Sequence, residues 1–172
     1  MFSVGDTVIY GNTVCRITGT KDMKCEQKVR KYYVLTPIYE RDSTYYLPIG
    51  SKKVERKMIP TLSADEIRAL IKDMPNEDTI WIENKNERAA QYKQILAGED
   101  RRALVKLIKT LHLQQRELKA AGRKLNVADA QFLRYAEKAL YDEFALVLNI
   151  EREEILPYIA GQMEEVARED DR

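Results

Sequence analysis

Met58-Ile59-Pro60-Thr61-Leu62-Ser63-Ala64-Asp65-Glu66-Ile67 is the stretch at which the sequence changes its structural pattern. On its amino-terminal side, apolar residues recur with a period near two, which is typical of strands. On its carboxyl-terminal side, Ser63 and Glu66 have the spacing of a capping box, and the apolar period becomes helical. The stretch therefore predicts an α+β protein of two domains, residues 1–60 and 61–172.

The first domain contains short runs that favour strands because they are rich in β-branched and aromatic residues. These runs are residues 7–10, 14–17, 32–35 and 44–47. Gly5-Asp6, Gly11-Asn12 and the mostly polar run 21–31 are expected to supply turns. About sixty residues bury only a modest core, so we expect a small, bent sheet or barrel of the Tudor or SH3 kind. Such a sheet leaves a strand edge for pairing with a partner.

The second domain is predicted to be an all-α bundle of about five helices. The first helix starts after Ser63 and ends before Pro75, which cannot continue it. The others are expected at residues 84–97, 100–120, 127–148 and 151–167. Asn126 or Asp129 is expected to cap the fourth of the five.

The net charge of +1 conceals blocks of alternating sign. Residues 1–60 carry +5 and residues 61–83 carry −4. Residues 84–124 contain eleven Lys/Arg and four Asp/Glu, a net of +7, and residues 125–172 carry −7. An unbalanced basic block predicts contact with a polyanion. The −7 segment is expected to face away from phosphate or to cover the domain's own basic surface.

Catalytic and metal-binding patterns are missing from the sequence. His112 has no ligand partner three or four residues away, and Cys15 and Cys25 lie ten residues apart without a CxxC pair. Walker, GxGxxG and GxSxG motifs are absent, as is any run of about 20 apolar residues that would cross a membrane. We expect a cytoplasmic, non-enzymatic protein with no cofactor, metal or small-molecule substrate, in which both cysteines are structural thiols.

Trp81, the only tryptophan, stands just ahead of the +7 block. It could pack as a core anchor of the bundle, or it could wedge beside base pairs as apolar side chains do in minor-groove binders. On the predicted helix 100–120, one face is basic and lies opposite an apolar stripe; its residues are Arg102, Lys106, Lys109 and Arg116. The candidate DNA contacts are Trp81, Lys85, Arg88, Lys93, Arg101, Arg102, Lys106 and Lys109, and Lys119, Arg123 and Lys124 extend the same charge. Such contacts go mainly to the DNA backbone and are largely independent of sequence.

The order of several segments resembles the CarD/CdnL family, whose N-terminal module is shared with transcription-repair coupling factors. The likeness rests on FSVGDTVIY at residues 2–10, YYVL at 32–35, Leu47-Pro48, Trp81, YKQILAGED at 92–100, and LYDEFALVLNI at 140–150. It implies a Tudor-like module that pairs strand edges with the β subunit of RNA polymerase. It also implies a helical domain that touches promoter DNA at the upstream edge of the transcription bubble.

The resemblance assigns roles to particular residues. Trp81 looks like the tryptophan that, in this family, wedges into the minor groove and stabilises the open complex. Basic residues that face polymerase in some members appear here as Tyr46 and as Met23 or Lys24. The candidate polymerase-binding edge is Thr44, Tyr45, Tyr46, Leu47, Pro48 and Ile49.

A protein-only adaptor is the alternative that the residues leave open. In that hypothesis the basic helix meets an acidic protein partner and does not bind DNA. The salt dependence of DNA binding separates the two, because neutralised phosphates release counterions.

Overall fold

The computed structural model describes residues 1–40 and 42–172, with all of their side chains except those at positions 163, 164, 166 and 167. The chain divides into two compact units, Met1–Thr61 and Leu62–Arg172. The first unit is built on an antiparallel sheet and the second on helices, so the protein is α+β.

The sheet of the first unit has five strands among the described residues, in the order β4-β3-β2-β1-β5. They are β1 (Thr7–Tyr10), β2 (Thr13–Cys25), β3 (Lys28–Pro37), β4 (Tyr45–Pro48) and β5 (Met58–Pro60), and a short helix, α1 (Lys52–Glu55), lies between β4 and β5. One face packs into a core that contains Ile17, Tyr33 and Leu35. The register of β2 shifts between Ile17 and Gly19, and a bulge of this kind bends a strand.

The polar run 21–31 is wrong as a turn, because most of it forms the outer half of the β2–β3 hairpin. Pairing continues from Lys21 opposite Tyr32 to Cys25 opposite Lys28. Glu26 and Gln27 make the turn, with φ of 47° and 65°. Two consecutive residues in this region match the twist of a hairpin. The run is polar because both faces of this ribbon are largely exposed, and not because the strands have ended.

The end of the first unit and its cysteines also differ from expectation. Residues 58–60, at the predicted boundary between the domains, form a strand that pairs with β1. Cys15 is buried in the core of the sheet, whereas Cys25 is exposed beside the hairpin turn. A structural role therefore fits Cys15 alone.

The second unit contains five α-helices within its described residues. They are α2 (Ala64–Asp73), α3 (Lys85–Ala97), α4 (Arg101–Ala120), α5 (Val127–Leu148) and α6 (Ile155–Asp170). The capping box of Ser63 and Glu66 is confirmed at the start of α2. Asn126 caps α5, since its Oδ1 accepts the Asp129 N–H at 2.7 Å. None of the described helices is long and apolar enough to cross a membrane.

The core of the second unit lies where α4 and α5 face α2, α3 and α6. Tyr92, Leu107, Leu111 and Phe144 are fully buried there. Trp81 is partly buried and packs against the border of this core. The packing of α3 and α4 against this core therefore determines which of the predicted DNA contacts on these helices face solvent.

Candidate functional site

Strand β4 forms one edge of the sheet and pairs only with β3 among the described residues. Tyr45 and Leu47 pack on the core side, and Tyr46 is 42% exposed. The Ile49 N–H donates to the Lys31 carbonyl at 3.0 Å. Because hydrogen-bonded and non-hydrogen-bonded pairs alternate along an antiparallel ladder, the N–H and C=O of Tyr46 point away from β3. The edge therefore presents a main-chain donor and acceptor at the centre of the predicted polymerase-binding segment.

The other residues of that segment frame this position. Thr44 is exposed and precedes the strand, while Ile49 follows it and packs against the core. Pro48 is the last residue of the strand and has no N–H. Proline is tolerated on the edge of a sheet because no ladder hydrogen bond is lost there. Tyr46 is thus the residue between Thr44 and Pro48 that can donate outward.

Lys21 lies beside this edge, which the sequence reasoning did not anticipate. Its Nζ is 5.6 Å from the centre of the Tyr46 ring, within reach of a cation–π interaction. Met23 and Lys24 lie farther along the hairpin, opposite Arg30 and Val29. The sequence alone does not show that Lys21 lies near Tyr46. This proximity follows from the strand register, which places β2 and β4 on either side of β3.

Trp81 is held by neighbours on two sides. Its Nε1 donates to Glu83 Oε1 at 3.1 Å, and the guanidinium carbon of Arg88 lies 4.2 Å from the ring centre. Part of the indole also packs against the helical core. The side chain is therefore both a packing residue and a partly exposed aromatic in a fixed orientation.

Arg88, a predicted DNA contact, is a buried ion-pair partner. Its Nε and Nη2 donate to the two carboxylate oxygens of Asp129 at 3.0 and 2.9 Å, and its Nη1 donates to the Ile82 carbonyl at 2.8 Å. The two charged side chains are only 4% and 5% exposed. Since its donors are engaged and buried, Arg88 is not available to phosphate, and its role is to fix α3 against α5.

Arg101, a second predicted DNA contact, is engaged in the same way. Its Nε and Nη2 donate to Glu143 at 3.1 and 2.8 Å, and Glu143 is almost fully buried. Glu143 also accepts the Leu62 N–H at 3.0 Å. This bidentate pair ties the start of the second unit to α4 and α5, so Arg101 too is structural.

Arg102 and Lys106 lie at the surface of α4 but have acidic partners. Arg102 pairs with Asp73 at 2.8 Å and with Glu77 at 3.2 Å, and Lys106 pairs with Glu77 at 3.7 Å. The Glu77 side chain is only 10% exposed. These two cations therefore neutralise a nearly buried carboxylate. As a result, less of their positive charge is available to attract DNA than the sequence predicts.

Lys109 is directed at backbone carbonyls. Its Nζ donates to the carbonyls of Met74, Pro75 and Glu77 at 3.3, 3.2 and 2.6 Å. Met74 and Pro75 belong to the short 3-10 turn that follows α2, and Glu77 caps its carboxyl-terminal end, where the carbonyls carry partial negative charge. Lys109 caps that turn, and its predicted contact with DNA would compete with three internal hydrogen bonds.

Lys85 and Lys93 on α3 are exposed and have no ion pair among the described residues. They are the two predicted basic contacts whose charge the protein does not use internally. Four further cations share this property, namely Arg116, Lys119, Arg123 and Lys124. They surround the turn between α4 and α5, and the sequence predicts them as an extension of the basic charge of α4.

Tyr92 adjoins the buried Arg88–Asp129 pair. Its hydroxyl donates to the Ile80 carbonyl at 3.3 Å, next to Trp81. Burial raises the pKa of Tyr92 to about 12; the negative charge of Asp129 adds to this rise and the positive charge of Arg88 opposes it. The phenol therefore keeps its proton to higher pH than an ordinary tyrosine does, and it remains a hydrogen-bond donor to the Ile80 carbonyl.

His112 pairs with Glu137, whose Oε1 lies 2.7 Å from its Nε2. Within the part of the chain that the structure describes, no three His, Cys, Asp or Glu side chains are grouped so that they could hold a metal ion.

The first unit is thus a small antiparallel sheet module with an open edge strand. Residues 2–59 match the family described as the CarD-like/TRCF RID domain. The chain therefore carries a CarD/CdnL-type RNA polymerase-interacting domain, and it is an RNA polymerase-interacting, transcription-related protein. The resemblance stated for the N-terminal segment is confirmed. A search of curated proteins finds no match to the chain.

Proposed function

We propose that this protein is a non-enzymatic cytoplasmic transcription regulator with two binding surfaces. Residues 1–60 would form a Tudor-like module that binds the polymerase β subunit through the β4 edge. Residues 61–172 would bind promoter DNA at the upstream edge of the bubble, largely independently of sequence, and stabilise the open complex. The open main-chain groups of Tyr46 at the edge of a polymerase-interacting domain are the observation that carries the first part.

Strand addition fits this edge for two reasons. Main-chain hydrogen bonds to an added strand give affinity, and side chains that alternate along the strand give specificity. The aromatic ring of Tyr46, with Lys21 beside it, lies next to the outward donor. The register shift in β2 supports the bent sheet that a Tudor-like or SH3-like module requires.

Replacing Tyr46 by proline tests this edge directly. Proline removes an N–H that β3 does not use, so Tyr46→Pro should preserve the sheet and lower affinity for the isolated β subunit about tenfold or more. Tyr46→Ala is the matched control, because it removes the ring and keeps the N–H. If the two variants bind equally, strand addition at β4 is excluded.

The DNA-binding proposal rests on Trp81 and the cations without acidic partners. Trp81 is presented in a fixed orientation by Glu83 and Arg88, which reduces the ordering cost of inserting it between bases. Lys85 and Lys93 would contact phosphates, and Arg102 and Lys106 would add a weaker attraction. Arg88 and Arg101 would support the surface without touching DNA.

A protein-only adaptor is the second candidate, and internal neutralisation is the observation that favours it. Five of the seven predicted basic contacts engage acidic side chains or carbonyls within the unit. The remaining charge would then face an acidic protein. A chain that has no affinity for forked duplex DNA even at low salt would establish this alternative.

Trp81→Ala tests open-complex stabilisation. If contacts worth about 1.4 kcal/mol form only in the open complex, their loss shortens its lifetime about tenfold. The measurement is the decay of polymerase–promoter complexes after a competitor is added. Binding to the β subunit should be unchanged, and an open-complex lifetime equal to that of the unaltered protein excludes the wedge.

A further inference from the structure

We propose that the outer part of the β2–β3 hairpin binds duplex DNA, entering the major groove and contacting the phosphates that flank it. This segment, residues 22–31, is the hairpin arm. The proposed function places DNA binding in the second unit and polymerase binding at the β4 edge. The hairpin arm lies on the first unit and belongs to neither of these surfaces.

The shape of the hairpin arm suits a groove, because the arm extends past the strands on either side of it. β4 pairs with Tyr32–Leu35 of β3, and β1 pairs with Thr13–Arg16 of β2. All residues of the arm are exposed except Met23, which is partly buried. Its four paired rows alone span about 10 Å, and the turn adds to this length. The major groove of B-DNA is about 12 Å wide and about 8.5 Å deep, and it admits a two-stranded ribbon.

The charge of the hairpin arm is unbalanced. It contains two acidic residues, Asp22 and Glu26, and four basic residues, so its net charge is +2. All four cations are exposed and form no ion pair with the described residues; they are Lys24, Lys28, Arg30 and Lys31. An exposed surface with uncompensated positive charge attracts a polyanion.

The strand register distributes these cations over both faces of the arm. Lys28 and Arg30 are two residues apart on β3 and therefore share one face. Lys31 projects from the other face, as does Lys24, which lies opposite Val29. When a ribbon enters a groove tip first, its two faces point at the two rows of phosphates. Each face of the arm can therefore supply two cations to one strand of the duplex.

The composition of the hairpin arm favours DNA over an acidic protein segment. Residues 22–31 contain no Phe, Tyr or Trp. Aromatic side chains are the common anchors of protein–protein interfaces, whose cores are depleted in Lys. Protein–DNA interfaces are more polar and more positively charged, and contacts between basic side chains and phosphates need no apolar anchor.

The exposed Cys25 provides a probe on the arm itself. Cys15 is buried, so a photoactivatable maleimide should label the native full chain at Cys25 alone, and Cys25→Ser is the labelling control. The labelled chain is titrated with short duplex DNA at several salt concentrations. The half-saturating concentration for crosslinking reports DNA at the arm, whether or not the second unit also binds DNA. We expect a crosslink that weakens as salt rises.

Two double variants test the cations of the arm. Lys24→Gln with Lys28→Gln removes one cation from each face. Lys52→Gln with Lys53→Gln is the matched control, because it removes two exposed cations from α1 and changes the net charge equally. Loss of two phosphate contacts should lower the slope of log K against log salt by about 1.8 and weaken crosslinking roughly 30-fold at about 0.15 M salt. The control pair should keep the slope, and affinity for the isolated β subunit should be equal in all three proteins.

The other outcomes overturn the arm and leave the proposed function distinguishable from it. Absence of the crosslink, or equal losses in the two pairs, excludes specific contact by the arm. Weaker binding of the arm pair to the β subunit, with unchanged crosslinking, assigns the arm to an acidic protein partner. A crosslink that is lost in Lys85→Gln with Lys93→Gln but kept in the arm pair shows that the second unit alone holds the DNA. Lys24→Arg with Lys28→Arg should keep the unaltered affinity, which excludes misfolding as the cause of the loss.

Discussion

The two halves of α4 use the same kind of residue for different purposes. In the first half, Arg101, Arg102, Lys106 and Lys109 all engage carboxylates or carbonyls of the second unit. In the last turns and the following loop, the cations have no such partners among the described residues. A basic block therefore attracts a polyanion mainly through those cations that internal acidic partners leave uncompensated.

The partners come from the acidic blocks on either side of the basic one. Asp73 and Glu77 belong to the −4 segment, and Asp129 and Glu143 belong to the −7 segment. Of the two expectations for the −7 segment, covering the domain's own basic residues is the one that the structure confirms at these two positions.

Asp129→Ala should have the largest effect on the internally paired region. The substitution leaves Arg88 buried without its counter-charge, and removing one partner of a buried pair costs about 3–5 kcal/mol. The free energy of unfolding is measured by urea titration, followed through Trp81, which lies in the second unit and is the only tryptophan.

The indole signal provides a second measurement on the same variant. Loss of Asp129 should also release the Arg88 guanidinium from the Trp81 ring and change the emission of the folded protein. Asp65→Ala is the control, because Asp65 is almost fully exposed in its pair with Arg68. Equal stability of these two variants would contradict the distinction between buried and surface pairs.

High pH should weaken the same region by a smaller amount. The pKa of Tyr92 is about 12 in the folded protein, against about 10 for an unperturbed tyrosine. Between these values the unfolded chain loses the phenol proton and the folded chain keeps it, so the free energy of unfolding falls as pH rises from about 10 to 12. Tyr141, whose pKa burial also raises to about 12, contributes in the same direction.

Urea titrations at pH 9 and 11 measure this loss of stability. Tyr92→Phe should show a smaller loss than the unaltered protein, because it removes a phenol whose pKa burial raises. Tyr135→Phe, at an exposed position on α5, should leave the loss unchanged. A loss that is identical in all three proteins would remove Tyr92 from the explanation.

The sequence predicts the local features of this molecule better than it predicts which strands pair and which charged residues form ion pairs. Ser63 and Glu66 predict the start of α2, because a capping box depends on residues three positions apart. The hairpin at residues 21–31 is missed, because its strands are exposed on both faces and lack an apolar alternation. Arg88 and Asp129 are 41 residues apart, so their pairing depends on how α3 packs on α5.

The candidate binding residues show the same limit: their identity is predicted locally, but their contacts depend on residues far away in sequence. The edge segment at Tyr46 is predicted by resemblance, but the outward direction of its N–H requires the β3–β4 register. The basic character of α4 is predicted by composition, but the sequence does not distinguish Lys106, which faces Glu77, from Arg116, which is exposed and has no ion pair among the described residues. That distinction depends on where the turn after α2 lies against the helix.

The smallest expected effect is a difference in the free energy of unfolding between variants of Lys106 and Arg116. Lys106→Gln should lower the free energy of unfolding by up to about 1 kcal/mol, because it removes a charge from beside a nearly buried carboxylate. Arg116→Gln should leave it unchanged or raise it slightly, since Arg116 has His112 and Lys119 as its neighbours one turn away on α4. Urea titrations in low and in 1 M salt measure both, and screening should shrink the difference. If Arg116→Gln is the more destabilising of the two, the cations at the end of α4 also stabilise the fold, and the contrast between the halves of α4 is lost.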